Sequence, residues 1–200
     1  MQAAIYGLAG TEIMPEERDF FRDADPAGFI LFRRNCESRE QMRRMTDGLR
    51  EIAGRAEVPI LIDQEGGRVA RMRPPEWPAF PCGEAFDRLY QLAPSSAIEA
   101  ARSNARALAL MLNEVGVNVD CLPMLDVRQP GATDIVGDRA LGSEPMQVAA
   151  LGRAILDGLH SAGVLGVIKH IPGHGRALVD SHHELPVVDA CEDDLAIDDG

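Results

Sequence analysis

The sequence predicts an α/β protein of the (β/α)8 TIM-barrel type. Short apolar runs rich in β-branched residues alternate with longer segments of helical periodicity, as they do in parallel sheets covered by helices. No glycine-rich phosphate-binding fingerprint follows the first apolar run, which disfavours an open, doubly wound sheet. Because 46% of the residues are hydrophobic and the charges are spread along the chain, we expect a buried core and not a disordered chain.

The apolar runs are predicted to be parallel strands, and each is followed by polar or Gly/Pro-containing loop residues. They cover residues 4–9, 28–32, 59–63, 116–122 and 164–170. The residues after His170 supply at most one more unit, so we expect five or six of the eight βα units of a barrel.

Three helices are predicted between the strands. Residues 38–53 begin with Ser38 as N-cap and Gln41 three positions later, the spacing of a capping box. Residues 96–115 form the second helix, and about 144–162 form the third, which Gly163 ends. The predicted buried faces carry Met42, Met45 and Leu49 in the first helix and Val148, Leu151, Ile155 and Leu159 in the third.

Charge and composition exclude several classes of function. With 32 acidic and 20 basic residues the net charge is -12, which repels a phosphate backbone, so we expect no nucleic-acid partner. No run approaches the roughly 20 apolar residues that cross a bilayer, and the N-terminus lacks a signal-peptide pattern. We therefore expect a cytoplasmic protein with no membrane partner. Its four cysteines, far apart and without a C-x-x-C pair, indicate reduced thiols.

A cluster of histidines carries the chemistry that the sequence predicts. Four of the five histidines lie between residues 170 and 183. Histidine gives and takes protons near neutral pH, and a neighbouring carboxylate fixes its tautomer. Asp180 and His182 are two positions apart, so in an extended loop both point the same way and can form such a dyad. The preceding Pro172, Gly173 and Gly175 exclude a regular helix and favour a loop.

These segments resemble the bacterial β-N-acetylhexosaminidases of glycoside hydrolase family 3, the peptidoglycan-recycling type. The similarity rests on residues 169–175 followed by Asp180-Ser181-His182, and it extends to residues 62–69, 123–127 and 137–140 in the order that the family shows. It covers nearly the whole chain. The resemblance implies a single glycoside hydrolase catalytic domain over residues 1–200, which we expect to be incomplete at its C-terminal end.

The resemblance also implies an activity and a role for each matching residue. The expected enzyme is a retaining exo-β-N-acetylglucosaminidase that removes terminal N-acetylglucosamine from muropeptides, without metal or organic cofactor. His182 is the expected proton donor and acceptor and Asp180 its partner. The expected sugar ligands are Asp63, Arg71, Arg139, Lys169 and His170.

The family's nucleophile, an aspartate at the end of a later strand, is not recognisable in the sequence. The run Glu192-Asp193-Asp194-Leu195 follows the histidines too closely and lacks the strand that should deliver it. We therefore expect the nucleophile beyond residue 200.

Two other functions stay open. One is a catalytically inactive sugar-binding module, since no nucleophile is found. The other is a zinc-dependent hydrolase, since imidazole and carboxylate are common zinc ligands. The common metallohydrolase motifs, H-x-H after the first strand and H-E-x-x-H on a helix, are absent, which counts against zinc. The expected partner is a small carbohydrate, and we expect a monomer.

Overall fold

The computed structural model describes residues 1–131, 134–181 and 183–190 of the chain. Strands and helices alternate along it in the order β1 (Gln2–Gly7), α1 (Pro15–Ala24), β2 (Pro26–Leu31), α2 (Arg39–Ala53), β3 (Ile60–Ile62), α3 (Gly83–Leu92), α4 (Pro94–Glu114), β4 (Val119–Asp120), α5 (Pro145–Ser161) and β5 (Leu165–Gly166). Two short 3-10 turns, Arg33–Asn35 and Gly137–Arg139, lie in loops.

The five strands form one parallel sheet in the order β1-β2-β3-β4-β5. Each of the four strands after β1 pairs with the strand that precedes it in the chain, so this sheet has no point at which the strand order reverses. An open doubly wound sheet has such a point and a barrel does not. The described residues therefore supply five consecutive strands of a TIM-barrel type fold, and the predicted fold class is confirmed.

Two of the predicted strands are longer than the ladder that forms. Residues 116–122 contribute only Val119–Asp120, and residues 164–170 only Leu165–Gly166. The pairing of β4 with β5 breaks at Leu122, whose N–H donates to the Asp120 carbonyl at 2.8 Å and not to β5. Pairing resumes beyond it as an isolated bridge between Met124 and Lys169, where the Leu125 N–H donates to the Lys169 carbonyl at 2.6 Å.

Helix α2 follows the prediction closely. The Ser38 hydroxyl accepts from the Gln41 N–H at 3.2 Å, as an N-cap should. The Gln41 side chain does not complete a capping box on Ser38: its oxygen accepts from the Glu37 N–H at 3.1 Å. The predicted face of the helix is buried, with Met42, Met45 and Leu49 at most 4% exposed.

Helix α5 also matches, and two helices were not predicted. The predicted stripe of α5 is buried, and Gly163 adopts a left-handed φ of 78° directly after the C-cap. Helices α1 and α3 are absent from the prediction, although α1 has a recognisable start. Pro15 occupies its first turn and the Glu17 carboxylate accepts from the Met14 N–H at 3.0 Å.

The core lies between the sheet and the covering helices, and Trp77, for which no role is predicted, is one of its largest fully buried side chains. Cys36, Cys82 and Cys121 carry free thiols, as predicted, while Cys191 lies outside the described residues. None of the helices described is both long and apolar enough to cross a membrane.

Candidate functional site

The five predicted sugar ligands and Asp180 lie together at the edge of the sheet where the parallel strands end. A cavity of about 580 Å³ opens there, within the range of small-molecule sites. In a TIM barrel this edge carries the active site. Its lining includes Asp63, Arg71, Arg139, Lys169, His170 and Asp180.

The loop after β3 is shaped by the buried side chain of Gln64. Its oxygen accepts from the backbone N–H groups of Arg71 and Met72 at 2.8 and 3.0 Å, and its amide nitrogen donates to the Met72 carbonyl. Gly66 turns this loop with a φ of 103°, and a Cβ there would lie 2.2 Å from the Pro81 carbonyl oxygen. The loop therefore folds back and brings Arg71 beside Asp63.

Two carboxylates and three cations alternate along one wall of the cavity, and we call these five residues the ionic wall. The Asp63 carboxylate accepts from Arg71 Nη2 at 3.0 Å and from Lys169 Nζ at 3.3 Å. Glu65 accepts from the same Lys169 Nζ at 2.5 Å. Glu65 also binds Arg139 through two parallel hydrogen bonds, at 2.9 Å from Nε and 2.8 Å from Nη2. Each charge therefore has an opposite neighbour.

The ionic wall is held in its charged form. Burial alone would raise the pKa of the Asp63 carboxyl, but the charge of Lys169 and the hydrogen bond from Arg71 hold that pKa below its usual value. Burial acts the same way on Glu65, and Arg139 and Lys169 outweigh it, so its pKa is also lowered. At neutral pH the cavity thus presents fixed acceptors beside fixed donors.

Arg139 reaches Glu65 from the loop that precedes α5. Its Nη1 donates to the Ile135 carbonyl at 2.9 Å. Arg68 fastens the same loop to the β3 loop, because its guanidinium donates to the Asp138 carboxylate at 2.7 Å and to the Ile135 carbonyl at 2.9 Å. Asp138 therefore helps to hold this loop at the rim of the cavity.

His170 meets the buried carboxylate of Asp126. The distance from Nδ1 to Asp126 Oδ2 is 2.5 Å, and the other oxygen, Oδ1, accepts from the His174 N–H at 2.6 Å. The Asp126 side chain is fully buried, whereas that of His170 is 41% exposed and lines the cavity. Burial would raise the pKa of Asp126, but the hydrogen bonds from the His170 ring and the His174 N–H outweigh it and lower that pKa.

The histidine loop, described over residues 171–181 and 183, lines another side of the cavity. Asp180 and Ser181 line it, and His174 Nε2 lies 3.1 Å from the Ser181 hydroxyl. The Asp180 carbonyl accepts from the His183 and Glu184 N–H groups, which makes a turn of these residues. His182, the predicted proton donor, lies outside the described residues, as does the run 192–195. The structure therefore places Asp180 at the cavity and does not test the predicted dyad.

Sequence reasoning missed Glu65 and left Asp126 out of the site. A signal for Glu65 existed, since it stands two positions after Asp63 and an extended segment points both side chains the same way. The Asp126 carboxylate accepts from the His174 N–H and so contacts the loop that follows β5. Its contact with the His170 ring was not predicted.

Two further features bear on reactivity. Within the described ranges, no group of three or more His, Cys, Asp or Glu side chains is arranged as a metal site. Cys121 lines the cavity, but burial raises the pKa of its thiol to about 11, so the thiol is protonated and unreactive at neutral pH.

The chain is similar in sequence to curated proteins and in fold to solved structures. A beta-hexosaminidase of Xanthomonas oryzae pv. oryzae is 38% identical over 178 residues, which are 89% of this chain and 52% of that protein. The chain thus spans about half the length of the curated relatives that it matches.

Two solved structures are similar over nearly the whole chain. NagZ from Neisseria gonorrhoeae in complex with N-trifluoroacetyl-D-glucosamine gives a TM-score of 0.92 at 31% identity, covering 98% of this chain and 57% of that one. A glycoside hydrolase family 3 beta-N-acetylglucosaminidase from Paenibacillus gives 0.88 at 31% identity, covering 98% and 36%. The model of the glycosyl hydrolase family 3 N terminal domain matches residues 4–200, and the chain therefore belongs to that family.

Proposed function

We propose that the full-length protein is a retaining exo-β-N-acetylglucosaminidase that removes terminal, non-reducing N-acetylglucosamine from muropeptides, in the cytoplasm, during peptidoglycan recycling. One observation carries the proposal. The five residues expected to bind the sugar, from four separate stretches of the chain, line a single cavity at the carboxyl ends of the strands, and Asp180 lines it with them. Relatives named beta-hexosaminidase support the substrate class.

The ionic wall suits a neutral, hydroxyl-rich ligand. Asp63 offers acceptor lone pairs to sugar hydroxyls, because its contacts with Arg71 and Lys169 leave part of its capacity unused. Arg139 uses three of its five N–H groups on Glu65 and the Ile135 carbonyl, so two remain for hydroxyl or amide oxygens. The groups are fixed before the sugar arrives, which lowers the entropic cost of binding.

The proton transfers are assigned to the histidine loop. In a retaining mechanism a carboxylate attacks the anomeric carbon while an acid protonates the leaving oxygen, and the same group later activates water. His182 takes both parts in this proposal, with Asp180 as its partner at the cavity. The attacking carboxylate is expected beyond residue 200.

The test is release of chromophore from an aryl N-acetyl-β-glucosaminide by the full-length protein, with an aryl β-glucoside as matched control. We expect turnover of the first and little of the second. Equal turnover of both would remove the N-acetylglucosamine assignment. Sugar binding without any turnover would favour the inactive sugar-binding module.

A further inference from the structure

Asp126 occupies an unusual position between two parts of the site. It lies between β4 and α5, its side chain is fully buried, and it uses both oxygens on the segment that follows β5. Oδ2 meets the ring of a cavity-lining histidine, and Oδ1 meets the backbone at the start of the histidine loop. One buried carboxylate therefore contacts both an expected sugar ligand and the loop that carries the expected acid/base.

The contact with Oδ2 fixes the tautomer of His170. A carboxylate only accepts hydrogen bonds, and the pKa of Asp126 lies below its usual value, so this group is ionised at neutral pH. His170 Nδ1 must then carry the hydrogen at the 2.5 Å contact. In the neutral imidazole the other nitrogen, Nε2, has a free lone pair and acts as an acceptor.

The contact with Oδ1 fixes the start of the histidine loop. The His174 N–H donates to it at 2.6 Å. Next to this bond, Gly175 packs so closely on Val127 that a Cβ would lie 1.9 Å from the Val127 carbonyl oxygen. Residues 126 and 127 therefore contact the start of the histidine loop, on the N-terminal side of Asp180 and Ser181.

We propose that Asp126 is a positioning residue that sets two parts of the site at once: it keeps the hydrogen of the neutral His170 ring on Nδ1, so that Nε2 accepts from a sugar hydroxyl, and it holds the start of the loop that carries Asp180. The second half rests on the proposed function, whereas the tautomer does not. The substrate must accordingly present a donor, a hydroxyl or an amide N–H, to His170.

Two substitutions separate the two effects in the full-length protein. In Asp126→Asn the amide oxygen still accepts from the His174 N–H, while the NH2 group donates to His170 Nδ1 and moves the imidazole hydrogen to Nε2. We expect KM to rise about tenfold, because the substrate donor then faces an N–H at Nε2 and loses one hydrogen bond. The value of kcat should stay within about threefold of wild type. In Asp126→Ala both contacts are lost, so kcat should fall too and the loop should be cleaved about tenfold faster by a protease.

Nitrogen-15 NMR of the imidazole rings measures the tautomer of His170 directly. The His170→Gln variant identifies the His170 signals, and Asp138→Asn, at the rim of the cavity, is the control that should leave them unchanged. The proposal expects an Nδ1–H tautomer in the wild type and Nε2–H in Asp126→Asn. The same tautomer in both, or wild-type loop cleavage in Asp126→Ala, would overturn it. If Asp126→Ala fails to fold, the tautomer measured in Asp126→Asn still tests the proposal. A wild type without turnover would remove the proposed function and leave the tautomer test intact.

Discussion

The two sides of the cavity are built differently. On the ionic wall, Glu65 and Lys169 are 6% and 13% exposed, and every charge is in contact with an opposite one. On the histidine loop, His183 is 83% exposed and lies 4.0 Å from the Asp180 carboxylate. The Asp126 carboxylate accepts from the His174 N–H near the start of that loop. The wall is buried and its charges are paired, whereas the loop carries strongly exposed side chains such as His183.

This difference matches the two tasks that the proposed reaction sets. Binding a sugar is strongest when donors and acceptors are already oriented. A group that first protonates a leaving oxygen and then activates water must adjust its position between two steps, and loops of limited contact provide such movement. We therefore expect changes on the wall to alter binding and stability, and changes on the loop to alter turnover.

The largest effect is expected from His182→Ala. Loss of general acid and base catalysis should lower kcat by roughly 10²- to 10⁴-fold with little change in KM. His160→Ala, an exposed position in the last turn of α5, is the control and should behave as the wild type. Steady-state kinetics on the aryl glycoside measures both, and an unchanged kcat in His182→Ala would refute the assignment.

A smaller effect, on stability, is expected from Glu65→Gln. The change leaves Arg139 and Lys169, 11% and 13% exposed, without a full counter-charge, which should cost about 3 kcal/mol of unfolding free energy. The exposed pair of Arg68 and Asp138 is the control, and Asp138→Asn should cost less than about 1 kcal/mol. Urea denaturation measures the unfolding free energy of both variants. Equal losses of unfolding free energy would mean that the buried ion pairs of the wall stabilise the fold no more than an exposed pair does.

The two carboxylates of the ionic wall, Asp63 and Glu65, predict a dependence of stability on pH. Because the pKa values of Asp63 and Glu65 are lowered in the folded state, their contribution is complete above the unfolded values of about 3.9 and 4.3. It is lost as the pH falls through the lowered values. The Tm difference between wild type and Glu65→Gln should therefore narrow below about pH 4. A difference that widens with acid would reverse the predicted sign.

The smallest effect is expected from a chelator. Since no metal-ligand cluster exists among the described residues, activity of the full-length protein should be unchanged after treatment with EDTA. Loss of activity that zinc restores would instead favour the zinc-dependent hydrolase.

Much of this arrangement was predictable from local patterns. The buried faces of α2 and α5 follow from apolar spacing, whereas Asp63, Lys169 and His170 were expected from the family resemblance. The spacing from Asp63 was a local signal for Glu65, but its partner Arg139 and the partner of Asp126, His170, lie 74 and 44 residues away in the chain, so these contacts could not be predicted locally. The early end of β4, where the Leu122 N–H donates to the Asp120 carbonyl, has no local sequence signal either.

We expect the ionic wall to bind the sugar independently of the loop that transfers protons. Calorimetric titration of N-acetylglucosamine into the full-length protein compares the wild type with His182→Ala and Glu65→Gln. The Kd of His182→Ala should stay within about twofold of the wild-type value, and the Kd of Glu65→Gln should rise about tenfold or more. Equal weakening of both variants, or undiminished binding by Glu65→Gln, would show that the wall does not bind the sugar independently.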